Sequence, residues 1–578
     1  MRRRKVPLKQ TFLSLITSKG QGIMLHNKLL PFALLALTQS IVAAQTPTAG
    51  SQLKQIPPPP SLSKPAPEIR IEPSNAPARP GADDVKIMVK SLHVIGAHAY
   101  SEAELVAFAD FQPGNEQTLY NLRAMALKIS DEYHRNGYFV AQAYLPAQDI
   151  KDGVVTIAVI EGQYGKVTVH NQANLPDRVI NSRLAGIQSG DVVTRAPLEN
   201  GLLRVADLPG ANVKSTLVPG ATAGTSDLIV DVTPGARVSG EVDADNAGNR
   251  YTGEYRLGAT VNLNNPLGLG DVASLRVMTS GEGLNYARLS YQMPVGKATV
   301  GVAYSKLRYK LGKEFESLHA NGTADIASIY GSYPLIRSRD NNLYAQLGYD
   351  ERIFQDKVDS TASVTDKKAH VLMASLSGDQ RDSLGRGGAS AYSLTWSAGL
   401  LDIQTPSARA FDDATAQSNG HYNKLAFSAM RLQNVTDSVS LYAGVNGQLA
   451  SKNLDVSEKM ELGGMYAVRA YPEGEAFADQ GYVLSLEARL LLPKFSERQA
   501  GQMHLIGFVD TGTVTVDKDP WTAGSNSRTL SGAGVGFTWV DNNDFSVKAY
   551  YAHKLGNAVA TSAPDKNGRL WVQVVKYF

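Results

Sequence analysis

The sequence predicts a transmembrane β-barrel of about sixteen antiparallel strands preceded by two small α/β modules. Three observations predict it. The N-terminal 44 residues have the layout of an export signal. From Arg237 onward, apolar and polar side chains alternate over stretches of about ten residues, the length that crosses a bilayer at a tilt. The connections between those stretches alternate between short and long, as the two ends of an outer-membrane barrel do.

Composition narrows the field. The chain has 578 residues, 43% hydrophobic and 19% charged, so it is neither disordered nor a nucleic-acid tail. Cysteine is absent, which excludes a disulfide scaffold and any thiolate metal site. The net charge of +3 is set by the leader. Residues 1–44 hold seven Lys/Arg and no acid, and the remainder has 50 basic and 54 acidic residues, a net of −4. A basic nucleic-acid binder is therefore not indicated, and no nucleic-acid partner is expected. The 25 Tyr against 15 Phe suit surfaces that are dry on one side and wet on the other.

The elements follow in order. Lys28 precedes the apolar run Leu29-Leu30-Pro31-Phe32-Ala33-Leu34-Leu35-Ala36-Leu37, and Val42-Ala43-Ala44 supplies the small residues of a cleavage site, giving a signal peptide over 1–44. Met24 is a second candidate start beside Met1. Residues 45–85 are rich in Pro, Ala and Ser around Pro57-Pro58-Pro59-Pro60; they read as a linker, a plain spacer in preference to a tether or plug.

Residues 86–162 read as the first module. A strand at 89–95 is followed by a helix capped by Ser101 with Glu104, then a helix with Leu122, Met125, Ile129 and Tyr133 on one face that stops at Asn136-Gly137. Two strands, 138–145 and 154–160, close it around Asp152-Gly153. Residues 163–234 repeat the plan, with a strand at 167–169, helices at 176–184 and 197–206, and strands at 213–218 and 227–232. Neither module contains paired acids, a nucleophile–base pair or a phosphate loop. Both look like binding modules, whose free sheet edge can accept an extended client chain.

Residues 235–578 read as the barrel. Tyr255, Leu257, Ala259, Val261 and Leu263 alternate with Arg256, Gly258, Thr260 and Asn262, and the segments 439–449 and 482–490 behave alike. Short turns fall near 294–297, 338–341, 434–437 and 541–543. Long loops fall near 312–322, 355–367, 401–421, 450–480, 513–529 and 554–568. Outer-membrane lipid is the expected surround.

At this point the residues resemble a known family, the two-partner secretion transporters of the haemolysin secretion/activation type, which join periplasmic POTRA domains to a barrel. Asn136-Gly137-Tyr138-Phe139-Val140 with Tyr144-Leu145-Pro146 resembles the first POTRA domain. Leu208-Pro209-Gly210, Leu217-Val218-Pro219-Gly220 and Gly224-Thr225-Ser226-Asp227-Leu228 resemble the second. Asp245-Asn246-Ala247-Gly248 and Asn264-Asn265-Pro266-Leu267-Gly268-Leu269-Gly270-Asp271 resemble the barrel start. Gly463-Gly464-Met465-Tyr466-Ala467-Val468-Arg469-Ala470-Tyr471 resembles the family's VRGY/F motif, with Ala470 where the family has Gly.

The resemblance implies that Val468, Arg469, Ala470 and Tyr471 ride on a loop folded into the barrel, and that Arg469 meets Asp510 in Phe508-Val509-Asp510-Thr511-Gly512. Alternation puts Phe508 and Asp510 on one face. Glu487, also lumenal by alternation, shares Arg469 or pairs with Arg489. The resemblance further implies a Gram-negative outer-membrane exporter of type V secretion, POTRA domains in the periplasm, and no ATP. Its partner is an unfolded exoprotein of adhesin or haemolysin type, bound through the POTRA domains. The last strand, ending in Phe578, would be read by the barrel assembly machinery.

No Walker A loop, dinucleotide fingerprint or zincin motif occurs, and the ten His show no metal-ligand spacing, so neither enzyme activity nor a metal or other cofactor is expected. The alternatives are a barrel assembly factor of the same superfamily and a diffusion porin or adhesin. Assembly factors usually carry more POTRA domains, and a porin needs none.

Overall fold

The computed structural model describes residues 46–57, 67–71, 86–541 and 544–578. The signal segment, both candidate starts and most of the proline run lie outside the described residues.

In the first module, Ser91–Ile95 runs parallel to Val154–Ile160, and Gln142–Tyr144 pairs antiparallel on its other side. Helices Glu102–Phe108 and Leu119–Arg135 cover one face. Ser101 caps the first through a reciprocal bond with Glu104, and Leu122, Met125, Ile129 and Tyr133 bury against Val155, Ile157 and Val159. The strand expected over 138–145 is reduced to Gln142–Tyr144, because Tyr138 and Phe139 turn inward to pack instead of pairing.

The second module places Gln163–Asn171 parallel to Thr225–Pro234, which pairs antiparallel with Ala211–Pro219. Helices Asp177–Leu184 and Arg195–Ala206 pack over that sheet. The free edge of Ala211–Pro219 is occupied by Glu68–Ile71 from the linker, in parallel pairing from Glu68 opposite Lys214 to Ile71 opposite Leu217.

Sixteen antiparallel strands, from Val238–Asp245 to Gly568–Tyr577, close into a barrel. Closure joins the first strand to the last over five pairs, Glu241 opposite Tyr577 through Asp245 opposite Gln573. The alternation resolves as lipid outside and lumen inside. Leu257, Leu289, Leu347 and Val535 stand exposed on the outer wall, while Arg256, Arg276, Glu487 and Asp510 are buried within.

The second module docks on the periplasmic turns. Arg183 donates to the carbonyl of Lys297 (2.8 Å), Asn200 to that of Arg337 (3.0 Å), and the Arg337 guanidinium grips both oxygens of Asp207 (2.8 Å each).

Two further expectations differ from what forms. The segment 355–367 is a tight hairpin, with strands continuing to Val358 and resuming at Ser363. There the strands carry polar residues on both faces, so the period-two signal vanishes although pairing continues. The linker is more than a spacer. Ala49–Lys54 is a helix capped by Thr48, and it lies in the lumen against Leu307, Tyr309, Ala324 and Phe354. The proline run that suggested an unstructured spacer starts only after this helix ends.

Candidate functional site

The sixth extracellular loop, residues 451–479, folds back into the lumen and is tied down along its length. Asp455 meets Lys367 (2.7 Å), Glu458 meets Arg352 (2.5 Å) and Lys424 (2.7 Å), and Lys459 meets Asp517 (2.9 Å) and Asp479 (3.2 Å). Glu475 accepts from the backbone of Thr561 and Ser562, both 2.8–2.9 Å, and pairs with Arg528. These anchors set the loop's charges against opposite charges on the strands (Arg352, Lys367, Lys424, Arg528), against Asp517 and the N–H groups of neighbouring loops, and against Asp479 of the loop itself, an arrangement that offsets desolvation inside a narrow lumen.

Arg469 sits at the tip. Its Nε and Nη2 donate to the two oxygens of Asp510 at 2.8 and 2.7 Å, and its own backbone N–H reaches Oδ2 at 3.2 Å. Its Nη1 donates to Glu487 at 2.8 Å, while Arg489 takes the other Glu487 oxygen at 2.8 Å. Glu487 thus serves both arginines. The guanidinium plane lies over Phe508, 3.6 Å from the ring centre, with Tyr550 at 5.0 Å. A planar cation with a fork of donors fits this site where lysine would not.

The neighbouring residues set the backbone. Val468, Ala470 and Tyr471 are fully buried. A Cβ on Gly532 would stand 2.4 Å from the Cβ of Ala470, and one on Gly512 would stand 2.5 Å from Leu462. Ala470 is accommodated in place of the motif's glycine because the facing strand is itself bare there. Sequence reasoning missed Gly532, Tyr550 and Trp571. The Trp571 indole donates to the Arg469 carbonyl at 2.7 Å across 102 residues, a contact that alternation alone could only place on the lumenal face.

The lumenal helix touches the same assembly. The Ala49 N–H donates to Asp356 (2.7 Å), Thr252 to the Gln52 amide oxygen (2.6 Å), and Arg256 to the Gln55 carbonyl (2.8 Å). Arg256 is meanwhile held by Asp245 of the first strand (2.8 Å). Gly50 lies so close to Ser457 of the inserted loop that a Cβ would stand 2.7 Å away. Helix and loop therefore pack against each other inside the lumen. Among the described residues no group of three His, Cys, Asp or Glu is placed to hold a metal ion.

These features coincide with a match to known proteins. Residues 224–539 match the family described as haemolysin secretion/activation protein ShlB/FhaC/HecB, and residues 87–162 match the ShlB-type POTRA domain. The chain belongs to this family. It is 29% identical to the heme/hemopexin transporter protein HuxB of Haemophilus influenzae strain ATCC 51907, over 94% of this chain and 97% of that one. It is 30% identical to HuxB of strain 86-028NP over 80% and 82%, and 25% identical to the outer membrane transporter CdiB of Escherichia coli over 79% and 77%.

Among solved structures, CdiB from Escherichia coli superposes with a TM-score of 0.65 at 22% identity, covering 87% of this chain and 93% of that one. BamA from Haemophilus ducreyi, at 16% identity and a TM-score of 0.53, shares the fold, covering 86% and 100%. This member of the haemolysin secretion/activation family is a two-partner secretion transporter of the outer membrane, with its POTRA region in the periplasm, and it translocates a partner exoprotein.

Proposed function

We propose that the partner reaches the periplasm unfolded, is captured along the edge of the second POTRA module, and threads through the lumen once the helix and loop yield. One observation carries this reading. The edge strand Ala211–Pro219 already holds an extended chain, Glu68–Ile71, by main-chain pairing. A client that adds a strand there by the same chemistry takes the place of the linker.

In this account Arg469, Asp510 and Glu487 hold the loop in its closed position, Phe508 supports the cation, and Val468, Ala470, Tyr471 and Gly512 shape the seat. The work is transport, not catalysis, and needs no cofactor. Folding of the partner outside the cell makes its return unfavourable and supplies direction without ATP. The likeness to heme/hemopexin transporters over nearly the whole chain makes an exoprotein that acts on heme or hemopexin the first partner class to test, ahead of adhesins and haemolysins. The final strand, whose Phe578 exchanges backbone bonds with Gly240 at 2.9 and 3.0 Å, is the segment for the barrel assembly machinery to read.

The chain has no native cysteine, so Arg70→Cys with Thr216→Cys, opposite each other in the register, places a single disulfide across the linker strand. The oxidised staple is expected to abolish export and a reductant to restore it. Export that proceeds unchanged with the staple closed would refute capture at this edge.

A further inference from the structure

The outer wall of the barrel carries a feature that passage through the lumen does not require. The fifth strand, Ala298–Lys310, rises from a periplasmic turn to the extracellular side. Its even positions face lipid, and Val300, Val302 and Tyr304 are exposed there. The same face continues with Lys306, Arg308 and Lys310. Charge on a lipid-facing position is unfavourable at the bilayer centre and nearly neutral at its edge. The change from Tyr304 to Lys306 therefore marks the headgroup level of the outer leaflet.

From Lys306 the register runs around the outside through Ala287, Val277, Ala259 and Val242. Alanine at two of these positions borders a hollow of about 460 Å³, lined mostly by apolar side chains, with Thr279, Asn285, Lys306 and Arg308 as its polar members. That volume lies within the ~300–1,000 Å³ of small-molecule clefts. Lys306 is engaged, donating to both oxygens of Asp325 at 2.7 and 3.0 Å, and Tyr304 also donates to Asp325. The side chains of Arg308 and Lys310 form no hydrogen bond or ion pair within 4 Å among the described residues, although Arg308 lies near enough to the Asp325 carboxylate to attract it.

We propose that this hollow binds a phosphorylated glycolipid of the outer leaflet, with an acyl chain in the apolar floor and a phosphate on Arg308 and Lys310. The guanidinium fork suits a phosphate in two-point contact, and Lys310 adds a second charge. The site borders the closure of the barrel, because Val242 of its floor lies opposite Lys576 of the last strand.

Native mass spectrometry of the full chain, released from detergent with bis-phosphorylated lipid A added, tests this. Wild-type protein is expected to retain one lipid per chain. Arg308→Gln with Lys310→Gln, and separately the dephosphorylated lipid A, are each expected to weaken retention about tenfold or more, the effect of losing a charged hydrogen bond. Ala287→Trp, which fills the hollow and keeps both cations, is expected to weaken it as well. Heat-modifiable electrophoretic mobility verifies that each variant forms a barrel. Equal retention by the double variant, equal retention of the dephosphorylated lipid, or displacement of the lipid by inorganic phosphate at the same concentration would overturn the proposal, the last by showing a free-anion site.

Discussion

Arg469→Ala removes the cation from a site where Asp510 is fully buried and Glu487 is 8% exposed. The two carboxylates fare differently. Glu487 keeps Arg489, whereas Asp510 loses both side-chain donors and retains only the Arg469 backbone N–H at 3.2 Å. Removing one partner of a buried pair costs about 3–5 kcal/mol, because the other charge is left uncompensated. That loss falls on docking of the loop tip. The other anchors, at Asp455, Glu458, Lys459 and Glu475, are untouched, so the barrel still assembles.

The expected result is normal heat-modifiable mobility of the barrel, greater protease access to residues 451–479, and a strong fall in exported partner. Arg469→Ala with Asp510→Ala removes the stranded charge and is expected to regain much of the docking stability without regaining export, a non-additivity of the kind a double-mutant cycle reads. An Arg469→Ala protein with unchanged loop protection and normal export would refute the reasoning.

Gly532→Val places a side chain against Ala470, and overpacking of about 1–3 kcal/mol is expected to displace the loop tip while Ala470→Gly leaves it seated; protease protection of the loop reads both. In the first module, burial pushes the Glu161 carboxyl up, but the N–H groups of Ala99 and His98 and the Tyr133 hydroxyl outweigh it and hold it below its ordinary value. A carboxyl lowered by folding adds stability above its unfolded pKa and loses it as pH falls through the folded one. Hydrogen exchange in Leu119–Arg135 of the full chain should therefore quicken on acidification below the usual glutamate range, and Glu161→Gln should remove most of that dependence. Arg337 holds Asp207, and Arg339 reaches both Glu199 (3.4 Å) and the Pro67 carbonyl (2.9 Å). Partly exposed pairs of this kind contribute up to about 1 kcal/mol each, so replacing both arginines by Ala should broaden spin-label distances between the second module and the barrel, while either alone changes them little.

The barrel was legible because lipid and lumen impose opposite demands on successive side chains, and residues such as Leu257 and Arg256 obey them. The signal failed where that contrast disappears, as at 355–367, where both faces are polar and the inward side chains Asp356 and Lys367 bind the lumenal helix and the inserted loop. Arg469 and Asp510 stood out through a family motif; spacing alone would have left Arg469 a solvated loop cation. The lumenal helix was not legible. Ala49–Lys54 has six residues, mostly small or polar, and its burial depends on strands more than 200 residues away, such as that of Arg256. Glu68–Ile71 is equally short, and its pairing depends on an edge supplied by another module. Gly532 and Trp571 owe their roles to which strands the closed barrel brings beneath the loop tip, and no local pattern encodes that.

The central claim is export of a partner through this barrel. The most direct measurement is the amount of that partner outside the cell when both genes are expressed in a Gram-negative host lacking them, with and without this chain. The account predicts partner at the surface or in the medium only when the chain is present, remnants in the periplasm when it is absent, and unchanged levels of other outer-membrane barrels. Equal export in its absence, or an unaffected partner with falling levels of other barrels, would contradict it.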